Sequence, residues 1–129
     1  MAVGGGSTTG LAKALAARTD VDLVVVPTTY SGSEVTPVLG ETADGRNTTR
    51  ATPAVLPETV IYDVELFRDM PVAMSVTSAV NALAHAVEAL YAPEANPAVN
   101  SWALESARSL ANGLRGLTAQ PFARQVRTD

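Results

Sequence analysis

Ala2-Val3-Gly4-Gly5-Gly6-Ser7-Thr8-Thr9-Gly10-Leu11 and, further on, Asp22-Leu23-Val24-Val25-Val26-Pro27-Thr28-Thr29-Tyr30-Ser31-Gly32-Ser33-Glu34 are the two stretches that decide the fold. Met1-Ala2-Val3 reads as the end of a strand. From Thr8 to about Arg18, Leu11, Ala14, Leu15 and Arg18 recur at helical spacing. Residues 22–26 form a short continuous apolar run, as in a strand buried on both faces. Strand, helix and strand in that order make a crossover unit. A right-handed crossover sets the two strands parallel and brings both following loops to the same sheet end.

Outward from this unit the chain changes texture once. Val38–Glu41 and Thr48–Ala51 flank Ala43-Asp44-Gly45-Arg46, the pattern of a β-hairpin. Val60-Ile61-Tyr62 is a further short strand. After Met70-Pro71 the alternation gives way to a 3.6-residue period, which predicts helices over about 72–91 and 97–117. The expected architecture is an α/β part with parallel strands and a hairpin over residues 1–70, then an all-helical part over residues 71–129. Nothing precedes the first strand, so the chain is expected to be an internal piece of a longer protein.

Composition narrows the function. The chain has 129 residues, 47% hydrophobic, with 9 basic and 13 acidic side chains and a net charge of -4. That balance gives nucleic acid no electrostatic footprint. The absence of cysteine excludes disulfides, thiolate metal sites and a cysteine nucleophile. No apolar run approaches the ~20 residues that span a bilayer, and no signal peptide is visible. A cytoplasmic location is the expectation.

Two loops carry the chemical signals. Gly4-Gly5-Gly6-Ser7 joins a strand end to a helix start. Such a loop lets backbone approach a phosphate, and the helix N-terminus supplies free N–H groups and partial positive charge. Ser7 and Thr8 can cap the helix or donate to phosphate oxygens. The spacing to Gly10 is one residue longer than the dinucleotide fingerprint, and a capped tight turn is the plain alternative. The loop from Pro27 to Glu34 leaves the carboxyl end of a strand, where open α/β sheets bind ligands, and holds five hydroxyl side chains. An ordinary polar turn is its alternative.

The helix over 72–91 carries the only histidine. Val76, Val80, Leu83, Val87 and Leu90 form one apolar stripe, and Ala79, Ala82, Ala86 and Ala89 form another. Between them run Ser78, Asn81, His85 and Glu88. A helix apolar on two faces is expected to be mostly buried, with its polar stripe hydrogen-bonded or lining a cavity. One His and one Asn do not complete a metal site. A histidine in a buried polar network is the structural alternative to a ligand or proton donor. In the last helix Asn96 is the expected cap and Pro97 the first helical residue. Ala103, Ala107, Leu110, Leu114 and Leu117 mark its packed face, and beyond Leu117 the pattern dissolves into a tail.

Taken in order, Ala2–Leu11, Val26–Pro37 and Asn81-Ala82-Leu83-Ala84-His85-Ala86-Val87-Glu88-Ala89-Leu90-Tyr91 resemble the iron-type (group III) alcohol dehydrogenase superfamily, and within it the maleylacetate reductase branch. The resemblance implies an N-terminal dinucleotide-binding domain, a C-terminal helical domain and an active site in the cleft between them. It implies NADH or NADPH as cofactor, and the reduction of maleylacetate, a small dicarboxylate, to 3-oxoadipate during breakdown of aromatic compounds. It implies a homodimer as the parent assembly. By this resemblance Gly4, Gly5, Gly6 and Ser7 match the pyrophosphate loop. Thr28, Thr29, Gly32 and Ser33 match the segment near the nicotinamide. Metal-dependent relatives carry Asp where this chain has Asn81, a neutral and poor replacement for an anionic ligand. No metal is therefore expected, and His85 is left as the candidate proton donor. Arg46 and Arg50 are the cations available to a dicarboxylate, against the plain reading of a solvated hairpin. Asn47 departs from the Lys expected there, and the tail after Leu117 fits the family poorly. A metal-dependent alcohol dehydrogenase and an inactive nucleotide-binding remnant are the competing readings.

Overall fold

The computed structural model describes residues 1–119; the tail beyond them, singled out above, lies outside the described residues. Met1–Leu66 forms one compact unit and the chain from Phe67 onward forms a second.

The first unit is built on a three-stranded parallel sheet in the order β1-β2-β5, with β1 at Ala2–Gly4, β2 at Val24–Pro27 and β5 at Thr59–Val60. Ala2 pairs with Val25 and Gly4 with Pro27, while Val25 pairs with Val60. Helix α1, Gly6–Thr19, makes the crossover from β1 to β2. It ends on Asp20, whose backbone is left-handed (φ 53°) and whose N–H bonds Ala16 O at 3.0 Å. Ala2, Ala16, Leu23 and Val25 form a buried cluster between helix and sheet, with Ala12 packed against it. Small alanines let α1 lie close to the strands. The strand β2 is buried at Val25 and Pro27 and only half-buried at Val24 and Val26. One face is thus fully covered, where the apolar run predicted two. Glu58 fastens the start of β5 to β2, its Oε2 accepting the Leu23 N–H at 2.5 Å.

The hairpin forms in full register. Strand β3, Val38–Ala43, pairs antiparallel with β4, Arg46–Ala51, from Val38↔Ala51 to Ala43↔Arg46. Asp44 (φ 51°) and Gly45 (φ 73°) both take positive φ at the tip, as a two-residue primed turn demands. Leu39 is buried, and every residue of β4 is exposed, as its polar sequence dictates.

The second unit packs helix α2, Val72–Ala89, on helix α3, Pro97–Ala119. Asn96 caps α3 as expected, its Oδ1 accepting from Ala98 N and Val99 N, both at 3.1 Å. Ala103 and Leu117 are buried, with Ala107, Leu110 and Leu114 half-buried on the same face. The burial of α2 differs from expectation. Its buried residues are Ser75, Ala79 and Ala86, while Val80 and Val87 of the larger stripe stay about half exposed. Alanine wins the packed face because small side chains let two helix backbones approach closely. The longer Leu/Val stripe then lies largely outside that contact.

Candidate functional site

The two loops meet at the carboxyl end of the parallel sheet. The Thr28 N–H donates to Gly4 O at 3.0 Å, so the ladder continues one rung past the strands and both loops leave it together. Side chains of the second loop then lie against backbone of the first. A Cβ added at Gly5 would lie 3.0 Å from Thr29 Cγ2 and Oγ1, and one at Gly6 would lie 3.2 Å from Ser31 Cβ. Gly4 has φ +156°, and a Cβ there would fall 2.4 Å from Thr8 Oγ1 and 2.8 Å from Thr8 Cβ. Close approach favours glycine at all three positions, and at Gly4 the backbone conformation does so as well.

The helix cap differs from the sequence expectation. The N-cap of α1 is Gly5, and no side chain bonds the first-turn N–H groups. Ser7 and Thr8 sit within the first turn and are exposed. The first-turn donors, which have no intrahelical partner, are therefore left for a ligand or water, with no acidic side chain in that turn. Thr9 closes the loop from below: it is buried, its N–H bonding Gly5 O at 3.1 Å and its Oγ1 donating to Gly5 O at 3.3 Å. This arrangement suits the pyrophosphate of a dinucleotide.

The second loop is held by buried charges. Glu34 is 4% exposed and accepts from Ser31 Oγ at 3.3 Å and from the Tyr62 hydroxyl at 3.0 Å. Desolvation, then the Glu34 charge and the hydrogen bond to it, push the Tyr62 phenol up to about 12. Beneath the loop lies Lys13, wholly buried, with its Nζ bonded to Ser33 O, to Thr36 O at 2.6 Å, to Thr36 Oγ1 at 3.2 Å and to Val38 O at 3.0 Å. Burial pulls the Lys13 ammonium below the ordinary lysine value, and the Glu34 charge opposes that shift. Glu34 belongs to the loop that the sequence put forward, whereas Lys13 and Tyr62 were absent from its candidates. A signal existed for Lys13, which lies four residues after Thr9 and three before Ala16 and so shares the face of α1 that turns to the sheet.

The remaining candidates lie elsewhere. Arg46 and Arg50 are exposed on β4, where Arg50 Nη2 is 3.4 Å from Glu41 Oε2, and Arg18 bonds the other Glu41 oxygen at 2.6 Å. Asn81 and His85 share one face of α2, in the second unit, and both are exposed. The His85 side chain is 64% exposed, with Nδ1 3.3 Å from Glu88 Oε2. The expectation that this stripe is enclosed is corrected accordingly. As donors for iron the stripe offers one imidazole and a neutral amide. Among the described residues no three His, Cys, Asp or Glu side chains are grouped to hold an ion. Nor, among them, is any helix long and apolar enough to cross a membrane.

Comparison with known proteins agrees with this architecture. Residues 1–64 match the family described as iron-containing alcohol dehydrogenase. Maleylacetate reductase 1 of Rhodococcus opacus is 71% identical over 129 residues, all of this chain and 36% of that protein. Maleylacetate reductase of Rhizobium sp. (strain MTP-10005) is 53% identical over 121 residues, 94% of this chain and 34% of its own length. The crystal structure of maleylacetate reductase from Agrobacterium tumefaciens superposes with a TM-score of 0.93 at 52% identity, covering 98% of this chain and 36% of that one. Sulfoacetaldehyde reductase from Bifidobacterium kashiwanohense, solved in complex with NAD+, gives a TM-score of 0.89 at 25% identity, over 98% of this chain and 39% of that one. The chain thus spans little more than a third of the length of these relatives. Its residues 1–64 match the iron-containing alcohol dehydrogenase family, and over its whole length the sequence is similar to the maleylacetate reductases.

Proposed function

We propose that this chain contributes the dinucleotide site of an NADH- or NADPH-dependent reductase that converts maleylacetate to 3-oxoadipate. The observation that carries the reading is the uncapped start of α1, seated against the hydroxyl loop at one sheet end. Its first-turn N–H groups and Ser7 would hold the pyrophosphate. Thr28, Thr29, Gly32 and Ser33 would line the nicotinamide side. A reduced nicotinamide supplies a hydride when bound.

In the reduction the hydride adds to the carbon–carbon double bond at the carbon remote from the ketone. The π electrons move to the ketone oxygen, and a proton then completes the adjacent carbon. A donor facing that oxygen lowers the barrier by stabilising charge that develops in the transition state. His85 is assigned that donor role, with Asn81 one turn away to orient substrate by hydrogen bonding. Arg46 and Arg50 would meet the substrate carboxylates, although Arg50 is already drawn to Glu41. A homodimer located in the cytoplasm completes the proposal.

The test follows nicotinamide absorbance when maleylacetate is added to the protein whose gene carries this sequence. Oxidation of NADH or NADPH with maleylacetate, diminished in His85→Gln, is the expected result. Oxidation with simple aldehydes and none with maleylacetate would overturn the substrate assignment. Binding of neither nucleotide would leave an inactive remnant as the better reading.

A further inference from the structure

We propose that Lys13 is a positioning residue, a buried cationic clamp that holds the hydroxyl loop across the glycine loop. The role rests on reading the paired loops as the dinucleotide site. Lys13 is the only lysine in the chain, and it is completely buried. A lysine in that state is uncommon without a paired carboxylate. Here, among the described residues, no carboxylate is bonded to it. Its partners are the carbonyl oxygens of Ser33, Thr36 and Val38 and the Thr36 hydroxyl.

All four acceptors belong to one segment, Ser33 to Val38, which runs from the end of the hydroxyl loop into β3. Regular structure supplies little there. A short 3-10 turn covers Ser33–Val35, with Val35 N bonded to Gly32 O at 3.2 Å and Thr36 N to Ser33 O at 3.4 Å. The Thr36 hydroxyl also donates to Ser33 O, at 3.1 Å. An ammonium brings three donors on a long flexible stem, so a single side chain from α1 can gather carbonyls that point inward from an irregular loop. The charge suits four oxygen dipoles better than a neutral amide would. The other end of the same loop is held by Glu34, through Ser31 and Tyr62. The loop is therefore fastened at two points, and Lys13 is the one that links it to the helix whose N-terminus begins at the glycine loop.

The groups facing the ammonium define its alternatives. Glu34 is the nearby carboxylate and Tyr62 the phenol bonded to Glu34. Neither is bonded to Nζ, so the clamp does not reduce to an ion pair.

The experiment uses the full 129-residue chain. In the unaltered chain, reductive methylation should modify the Met1 amine and spare Lys13, and urea should expose both. Amide exchange is then compared among the unaltered chain, Lys13→Met and Lys13→Ala. Exchange at Val35, Thr36 and Thr52 should speed up by about tenfold or more in the variants, as expected for lost hydrogen-bond partners. Val25 in the sheet and Ala103 in α3 should keep their rates. Adding n-propylammonium chloride to Lys13→Ala should slow the loop amides again, and sodium chloride should not. Ready methylation of native Lys13, unchanged loop exchange, or equal acceleration at Val25 and Thr36 would each overturn the clamp. NADH affinity is read in parallel. If the unaltered chain binds NADH and Lys13→Met binds it equally well, the positioning role fails. If the loop amides respond as expected and the unaltered chain binds no NADH, the clamp stands and the dinucleotide reading falls.

Discussion

Replacing Gly4 by alanine is the sharpest perturbation of the glycine loop. The added Cβ would lie 2.4 Å from Thr8 Oγ1, 2.8 Å from Thr8 Cβ and 3.1 Å from Thr8 Cγ2. Carbon atoms in good contact sit roughly 3.5–4.0 Å apart, so the carbon contact is short by about 1 Å. Rotation of Thr8 can move its oxygen away. It cannot move Thr8 Cβ, which the helix backbone holds. Overpacking of this kind costs about 1–3 kcal/mol, and a side chain at the φ of +156° adds strain of about 1–3 kcal/mol. The sum, about 2–6 kcal/mol, is a large share of the roughly 5–15 kcal/mol that holds a domain together. Gly10 supplies the control four residues into the same helix. A Cβ there meets nothing within 4 Å, so Gly10→Ala should stabilise by about 0.5–1 kcal/mol through helix propensity. Urea unfolding, followed by NMR at Val25 so that it reports the first unit, measures both. If Gly4→Ala falls within about 0.5 kcal/mol of the unaltered chain, the range of an ordinary surface change, the close-packed picture of the loop is wrong.

Other outcomes follow from the same geometry. The phenolate absorbance of Tyr62 should rise at about pH 12 and shift downward in Glu34→Gln. The raised value means that the Tyr62 contribution to stability is complete below about pH 10, the ordinary tyrosine value, and is lost as pH climbs toward 12. Glu58 has the opposite sense: its bond from the Leu23 N–H holds the carboxyl below its ordinary value. Its contribution is present above the ordinary glutamate range and lost as pH falls through the lowered value, so Glu58→Gln should flatten the acid limb of an unfolding profile. Elemental analysis of the purified protein should find iron and zinc well below one per chain; one metal per chain would favour a metal-dependent alcohol dehydrogenase.

The sequence announced the elements with strong local signals and was silent where structure depends on contacts distant in the chain. The crossover unit, the Asp44-Gly45 hairpin and the Asn96-Pro97 helix start each rest on a few adjacent residues, and each formed as expected. The burial of α2 did not follow from its period. Two apolar stripes of similar width compete, and only packing on α3 selects the one with Ala79 and Ala86. The role of Lys13 was hard to read for a related reason, even though its spacing placed it on the sheet-facing side of α1. A lone lysine in a helix reads as solvated until the carbonyls of Ser33, Thr36 and Val38, 20 or more residues later, are brought over it. Ser7 looked like a cap by type, yet chain geometry handed the N-cap to Gly5.

The contact between the two loops also sets a rule of sizes for any descendant of this sequence. A Cβ at position 5 would press on Thr29 at 3.0 Å, and one at position 6 would press on Ser31 at 3.2 Å, so each addition requires its neighbour to give way. The residues in each pair are 24 and 25 apart in the chain, yet the volume at one fixes the volume allowed at the other. A lineage that trims Thr29 to glycine opens space for alanine at position 5, and one that enlarges Ser31 forbids alanine at position 6. Drift at this sheet end is therefore tied in pairs, and a change tolerated in one background becomes a clash in another.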